Sequence, residues 1–230
     1  MAASGGLAEL TREIVVCRKC PRLVAWREEA ARHPPKRYQD WEYWAHPLPG
    51  FGDPNARVLI VGLAPAAHGG NRTGRIFTGD RSGEWLYRSL HRNGHANQPH
   101  STNRDDGLAL TGAYVAAVNR CPPPGNRPTP QERDNCLPYL ARELALLKRV
   151  KVLVALGSFA WDGALRAVAL NGHPIPRPKP RFAHGAEARV GPYVLLGCYH
   201  PSQQNTFTGV LTEKMLDGIF ARARDLGARR

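Results

Sequence analysis

The chain is expected to fold as a three-layer α/β protein, with a central four-stranded parallel sheet flanked by helices. Three observations lead there. Four short apolar runs, at residues 57–63, 113–119, 152–157 and 193–199, are nearly continuous rather than alternating, as in strands covered on both faces. Helix-like segments lie between them, and strands alternating with helices imply right-handed crossovers. The length, 230 residues, suits one domain over residues 1–230 with a sizeable core.

Each helix has its own signals. Residues 82–93 open on Ser82, a good N-cap residue, and residues 129–149 open on Thr129 followed by Pro130 and Glu132. Residues 158–171 follow the third run and stop before Gly172. Two Pro-rich stretches interrupt the alternation. Residues 33–53 form a loop carrying Trp41, Tyr43, Trp44 and Phe51, and residues 172–180 are extended because each Pro restricts its predecessor. The final residues, 221–230, are a basic stretch.

Composition narrows the class. A hydrophobic content of 42% with 22% charged residues excludes wholesale disorder. No apolar run reaches the length of a membrane span. The opening segment lacks a basic region followed by a long apolar stretch, so a reducing, cytoplasmic location is expected. There are 32 Lys and Arg against 19 Asp and Glu, a formal charge of +13, and only six of the basic residues are lysines. Arginine grips phosphate with two parallel hydrogen bonds, which favours a nucleic-acid partner.

Five cysteines in a reducing compartment point to metal ligation rather than disulfides. Cys17 and Cys20 form C-x2-C, and Cys121 and Cys136 lie far downstream. Cys198 falls inside the fourth apolar run and reads as an inert core thiol. The remaining four suit a tetrahedral zinc or a [4Fe–4S] cluster. Prolines beside Cys20, Cys121 and Cys136, and a second pair too widely spaced for a zinc ribbon, favour the cluster.

In open α/β sheets ligands bind beyond the carboxyl ends of the strands. The loop after the first run, residues 62–83, is Gly-rich but has no phosphate-loop signature. It carries Phe77 and Asp80. The second run ends at Asn119 and the fourth leads to His200. An amide, an imidazole and a Gly-rich loop are therefore expected to converge on one pocket.

These segments carry a resemblance. GFGDP at residues 50–54, GLAPAAHGGNRTGRIFTGDRSG at 62–83, VNRCPPPGNRPTP at 118–130 and HPSQQNTFTG at 200–209 resemble the uracil-DNA glycosylase superfamily, specifically the Thermus-like family 5 (type b) enzymes of thermophilic bacteria and archaea. The 20 prolines and the preference for arginine suit a heat-stable protein. The resemblance implies a structural [4Fe–4S] cluster on Cys17, Cys20, Cys121 and Cys136, linking the N-terminal region to residues 121–136. It implies a monomer in the prokaryotic nucleoid that flips and removes uracil, with hypoxanthine or other deaminated bases, and leaves an abasic site.

Roles follow residue by residue. Phe77 matches the stacking aromatic, Asn119 reads the base edge, His200 donates to uracil O2, and Gly62 and Ala64 shape the base pocket. Ala64 stands where better-known branches have a water-positioning Asp or Asn. That leaves Asp80, or else the DNA phosphates together with the leaving-group pocket, to assist the cationic sugar; a loop-ordering salt bridge from Asp80 to Arg75 or Arg81 is the bland alternative. DNA contacts are expected from Arg75, Ser202, Gln203, Asn205 and Phe207, with Phe207 either wedging into the vacated stack or packing under its own loop. No lysine falls in these motifs, so the enzyme is expected to be monofunctional. The competing function is a non-catalytic, metal-containing DNA-binding module.

Overall fold

The computed structural model describes residues 2–228, with side chains from residue 5. Two helices come first, α1 (Ala2–Val15) and α2 (Pro21–Arg32), followed by the loop of residues 33–50, which holds one 3-10 turn at Lys36–Tyr38. Then come β1 (Phe51–Gly52), β2 (Val58–Gly62), α3 (Gly70–Thr73), α4 (Arg81–Arg92) and β3 (Ala113–Ala117). The second half adds α5 (Pro130–Leu146), β4 (Val152–Leu156), α6 (Ser158–Leu170), β5 (Glu187–Val190), β6 (Tyr193–Cys198), α7 (Gln203–Phe207) and α8 (Glu213–Ala228).

The sheet has six strands in the order β1-β3-β2-β4-β6-β5. The four expected strands are its centre and run parallel, with Ile60 opposite both Val115 and Val154, and Val154 opposite Leu196. Two antiparallel edges extend it, which corrects the expected count of four. β1 is two residues long, and β5 is largely exposed, so neither carries the continuous apolar run of a covered strand.

Both faces of the central strands are buried, which is why their runs do not alternate. Leu59, Val61, Ala116, Leu153 and Leu195 pack under Leu140 and Leu144 of α5 and Trp161, Leu165 and Val168 of α6. Ile60, Val115, Val154 and Leu196 pack on the other face under Leu86 and Leu90 of α4 and Leu216 and Phe220 of α8. Burying each such side chain contributes ~1.5–3 kcal/mol. Cys198 lies in this second layer, fully buried, with burial pushing its thiol up to about 12, as an inert core thiol requires.

Helix α4 starts one residue before its expected origin. Asp80, not Ser82, is its N-cap: Asp80 has extended backbone and its Oδ1 accepts from Gly83 N at 2.9 Å. The expected cap of α5 is present in full. Thr129 Oγ1 accepts from Glu132 N, and the Glu132 carboxylate accepts from Thr129 N. Helices α1, α2 and α8 were not foreseen. The basic stretch at 221–228 is the last part of α8, whose Leu216, Ile219, Phe220 and Ala223 face the core; residues 229–230 lie outside the described residues. Residues 172–180 form no regular element, in keeping with their prolines. No helix among the described residues is long and apolar enough to cross a membrane.

The chain turns from β3 into the α5 cap around a buried ion pair. Arg120 and Glu143 are 1% and 2% exposed and pair through both guanidinium nitrogens. Glu143 Oε1 also accepts from Gly50 N, and Leu48 N donates to Arg120 O. Removing one partner strands the other charge in the interior. Glu143→Ala is expected to destabilise the protein by about 3–5 kcal/mol, lowering Tm by roughly 10 °C. The double change Arg120→Met with Glu143→Leu should cost much less, and calorimetry of the two variants checks both expectations.

Candidate active site

The strand order reverses at β2, since the chain passes from β2 to β3 on one side and then to β4 on the other. Such a switch point opens a crevice at the carboxyl ends of the strands. A cavity of about 910 Å³ lies there, lined by Leu63 to Gly69, by Phe77 and Gly79 to Ser82, by Pro123, Gly125 and Asn126, and by His200 and Ser202 to Gln204. The sequence places Ala64, Phe77, Asp80, His200, Ser202 and Gln203 on this wall, and the structure brings them together. It adds Trp26 from α2, Tyr38, His68, Arg81 and Gln204. His68 was inside the Gly-rich loop and so was findable. Trp26 and Tyr38 lie in segments with no local signal for a pocket.

Phe77 is held by its backbone. Its φ of +52° is a left-handed conformation uncommon for a non-glycine residue. The ring lies over the end of β2, where a Cβ on Gly62 would stand 2.7 Å from Phe77 Cζ. Gly62 is therefore the floor beneath the ring rather than part of the cavity wall. Phe77 and His200 face each other with ring centroids 5.9 Å apart and planes 34° from parallel.

His200 is tied down through its main chain, whose carbonyl accepts from Asn205 Nδ2 at 2.9 Å. Asn205 thus orders the His200 loop, and Ser202 caps α7 by accepting from Asn205 N. The imidazole is half-buried in the cavity wall, and burial pushes its pKa down to about 4, so it is neutral at physiological pH. Across the cavity, burial pushes the Asp80 carboxyl above the ordinary range, against the opposing pull of the Gly83 and Ser82 amides. Its Oδ2 sits where a Cβ on residue 69 would be, so only glycine at 69 admits it. Neither alternative salt bridge for Asp80 forms among the described residues.

Asn119 is completely buried at the end of β3, with its amide N donating to Leu63 O. Its Nδ2 donates to Glu132 O at 3.1 Å, which leaves Oδ1 an enclosed acceptor with no donor. Glu132 is itself fixed by the capping box and by the Arg22 guanidinium at 2.7 Å. Unlike Ala64, Phe77, Asp80 and His200, Asn119 is not among the residues lining the cavity, although buried acceptors are nearly always paired and its Oδ1 is not.

Arg75 corrects an expectation. It is 4% exposed and bound to Asp106, Ser101 and Thr78, so its charge is consumed inside the protein and does not face a phosphate. Phe207 is the opposite case: it is 67% exposed at the end of α7, its ring covered on one side by the Arg81 guanidinium at 4.1 Å.

On the far side of α2, Cys17, Cys20, Cys121 and Cys136 line one enclosed cavity of about 20 Å³. Three of the sulfurs receive N–H donors: Cys121 from Arg27 at 3.1 Å, Cys136 from Arg120 N at 3.2 Å and Cys20 from Asn135 at 3.6 Å. Burial pushes the Cys121 thiol up to about 11 and the Cys136 thiol to about 12. Donors aimed at sulfurs that would otherwise stay protonated fit a metal-bound thiolate set.

The sequence model of the Uracil DNA glycosylase superfamily matches residues 49–224. Among curated proteins, the chain is 53% identical over 225 residues to a type-5 uracil-DNA glycosylase of Mycobacterium tuberculosis, covering 97% of this chain and 82% of that one. It is 47% identical to the type-5 enzyme of Thermus thermophilus, covering 93% of this chain and 94% of that one. Against the type-5 enzyme of Pyrobaculum aerophilum it is 41% identical, with coverages of 95% and 92%.

The depressed His200 pKa has a stability consequence. Below its ordinary value of 6.5 the unfolded chain binds this proton and the folded chain does not, down to about pH 4. This site's contribution is therefore expected to be full above pH 6.5 and to fall away as pH drops towards 4. His200→Gln should remove that part of the pH dependence in denaturant unfolding, and heteronuclear NMR should find the ring neutral throughout the range above about pH 5.

Proposed function

The chain belongs to the uracil-DNA glycosylase superfamily, and on that footing we propose that it hydrolyses the bond between uracil N1 and deoxyribose C1′ in DNA, releasing the base and leaving an abasic site. The observation that carries this reading is a pair of unspent polar groups at the carboxyl end of the sheet. Asn119 Oδ1 is an acceptor without a donor, and His200 is a neutral ring facing Phe77.

A base leaving the duplex stack costs a few kcal/mol and needs new partners. Phe77 supplies a stacking face. Asn119 Oδ1 accepts from uracil N3–H, while cytosine has no hydrogen there and leaves the acceptor empty. As the glycosidic bond breaks, negative charge grows on uracil O2 and positive charge on the sugar. Neutral His200 donates an N–H to O2, an oxyanion-hole role in an enclosed site. Ionised Asp80, with one oxygen held by the α4 cap, directs the other towards the sugar cation or its attacking water. Ala64 offers no group for that task, and the space it leaves suits larger deaminated bases such as hypoxanthine. No lysine is among the residues lining the cavity, which supports a monofunctional hydrolase.

Ser202, Gln203 and Gln204 at the cavity mouth, with Phe207 as the wedge backed by Arg81, are the DNA-facing set in this reading, and Asn205 serves it by ordering their loop. Cys17, Cys20, Cys121 and Cys136 would hold a [4Fe–4S] cluster, supported by the sulfur-directed donors and by four thiols ringing a space rather than meeting at a point. When bound, that cluster ties the first two helices to residues 121–136 and contributes negative charge. In this reading the protein acts as a monomer beside the chromosome in the cytoplasm.

Incubation with duplexes carrying one uracil or one hypoxanthine, followed by alkali, tests the reading. Strand breaks are expected only after alkali and not at cytosine. Asp80→Asn and His200→Gln should each slow the single-turnover rate by about 10²- to 10³-fold. His200 stays neutral between about pH 6 and 8 and so adds no step to the wild-type rate there. The rate should fall at lower pH as Asp80 takes up a proton. No breaks from protein with intact cysteine ligation would leave a non-catalytic DNA-binding module as the better account.

A further inference from the structure

Arg27 is one of the largest fully buried side chains, at 1% exposure, yet among the described residues it makes no ion pair with a carboxylate. Its Nη1 donates to Cys121 Sγ at 3.1 Å and to Cys17 O at 3.3 Å, and its Nε has no partner. A guanidinium cannot shed its proton to escape burial, so it needs a negative neighbour. Among the described residues the one acidic side chain it hydrogen-bonds is Cys121, and Glu28, which pairs with Arg18, acts on it only through space. Four neutral thiols leave it uncompensated, whereas thiolates bound in an anionic metal–sulfur centre meet its charge.

The same residue reaches the base cavity through its main chain. Arg27 O accepts from Asn71 Nδ2 at 3.1 Å, and Asn71 is wholly buried in α3, inside the Gly-rich loop. Asn71 also donates to Ala67 O. The next residue, Arg72, fastens both ends of the loop's inner turn, donating to His68 O at 2.8 Å and to Gly79 O at 2.9 Å, immediately before Asp80. One residue back along α2, Trp26 lines the cavity, and the N-cap of α2 is Cys20.

We propose that Arg27 is a positioning residue for base excision: its guanidinium is the counter-charge of the cysteine-bound centre, and its carbonyl, through Asn71, holds the loop that carries His68, Gly79 and Asp80 in register with that centre. The proposal rests on the cluster and glycosylase readings above. It accounts for a metal centre that touches no substrate yet sits one side chain from the loop that does.

The test uses the full chain purified with its iron, in the variants Arg27→Met, Arg27→Lys and Asn71→Ala. Arg27→Met removes both the charge and the N–H to Cys121. It should shift an Fe–S(Cys) stretching band in the resonance Raman spectrum, and it should release iron to a chelator about 10- to 100-fold faster. Arg27→Lys keeps the charge and should restore iron retention most of the way. Asn71→Ala cuts the second half of the link. Its Raman spectrum and iron release should match wild type, while its single-turnover rate at saturating enzyme falls about tenfold and amides 70–80 lose protection from hydrogen exchange. A wild-type spectrum and iron release in Arg27→Met would overturn the proposal, and so would a wild-type rate in Asn71→Ala. If Arg27→Met does not fold, Arg27→Lys and Asn71→Ala still decide. Wild-type protein without visible charge-transfer absorption would instead sink the cluster reading, and iron-loaded wild-type protein that releases no uracil would sink the glycosylase reading.

Discussion

The Arg120–Glu143 pair is the contact on which the working half of the molecule depends. Arg120 stands between Asn119, the buried amide at the end of β3, and Cys121, a member of the cysteine set. Its own amide donates to Cys136 Sγ, and its carbonyl accepts from Leu48 N. Glu143, in the middle of α5, meets the guanidinium and also takes the Gly50 amide. Three segments distant in sequence, residues 48–50, Arg120 and α5, are thereby fixed at one point in the interior. A buried pair of this kind gives little net stability compared with apolar residues of the same size. Its value here is directional, because it orients the backbone on both sides of residue 120, with Asn119 on one side and Cys121 on the other.

A second constraint works through missing side chains. The cavity wall is crowded enough that Phe77 can lie on the sheet only where Gly62 has no Cβ, and Asp80 can reach inward only where Gly69 has none. Phe77 also accepts a left-handed backbone, a strain that its surroundings over-determine through Tyr87, whose hydroxyl donates to Ile76 O, and through the Thr78–Ser101 contact. The stacking face and the carboxylate are thus set by close approach rather than by flexible reach. That is the condition under which fixed dipoles stabilise developing charge without reorganising.

Much of this was legible in the residues. The four central strands announced themselves because burial on both faces demands unbroken apolar runs, and the α5 cap because Thr129 and Glu132 carry it locally. The convergence of Phe77, Asp80 and His200 followed from strand ends alone, whereas Asn119, expected with them, does not line the cavity and Ala64 was singled out only by the family resemblance. What escaped was non-local. Whether Arg75 faces DNA or Asp106 depends on residues thirty positions away, and arginine reads the same in either place. The cap of α4 passed from Ser82 to Asp80 because two good capping residues lie two positions apart and only the backbone angle selects between them. Helix α8 was hidden by its arginines, which mask the apolar stripe of Leu216, Ile219, Phe220 and Ala223. Trp26 and Tyr38 belong to the cavity only because α2 and the loop after it fold over the sheet's carboxyl edge.

The electrostatics of the cavity run against the character of the chain. A formal charge of +13 favours attraction to DNA, but such attraction does not tell one base from another. Discrimination is left to groups whose charge has been suppressed or confined: an imidazole kept neutral by burial and an amide oxygen turned inward by the Glu132 carbonyl. A cationic histidine would favour any leaving anion and would also bind phosphate. A neutral one favours only a base that has already entered and begun to accumulate charge. In the proposed reading the Asn119 amide oxygen admits a base with an N–H on its pairing edge, N3 of uracil or N1 of hypoxanthine, and penalises one without it, because a buried acceptor left empty costs about 1–3 kcal/mol. On that same reading the basic excess brings the enzyme to DNA, and the neutral interior selects the lesion.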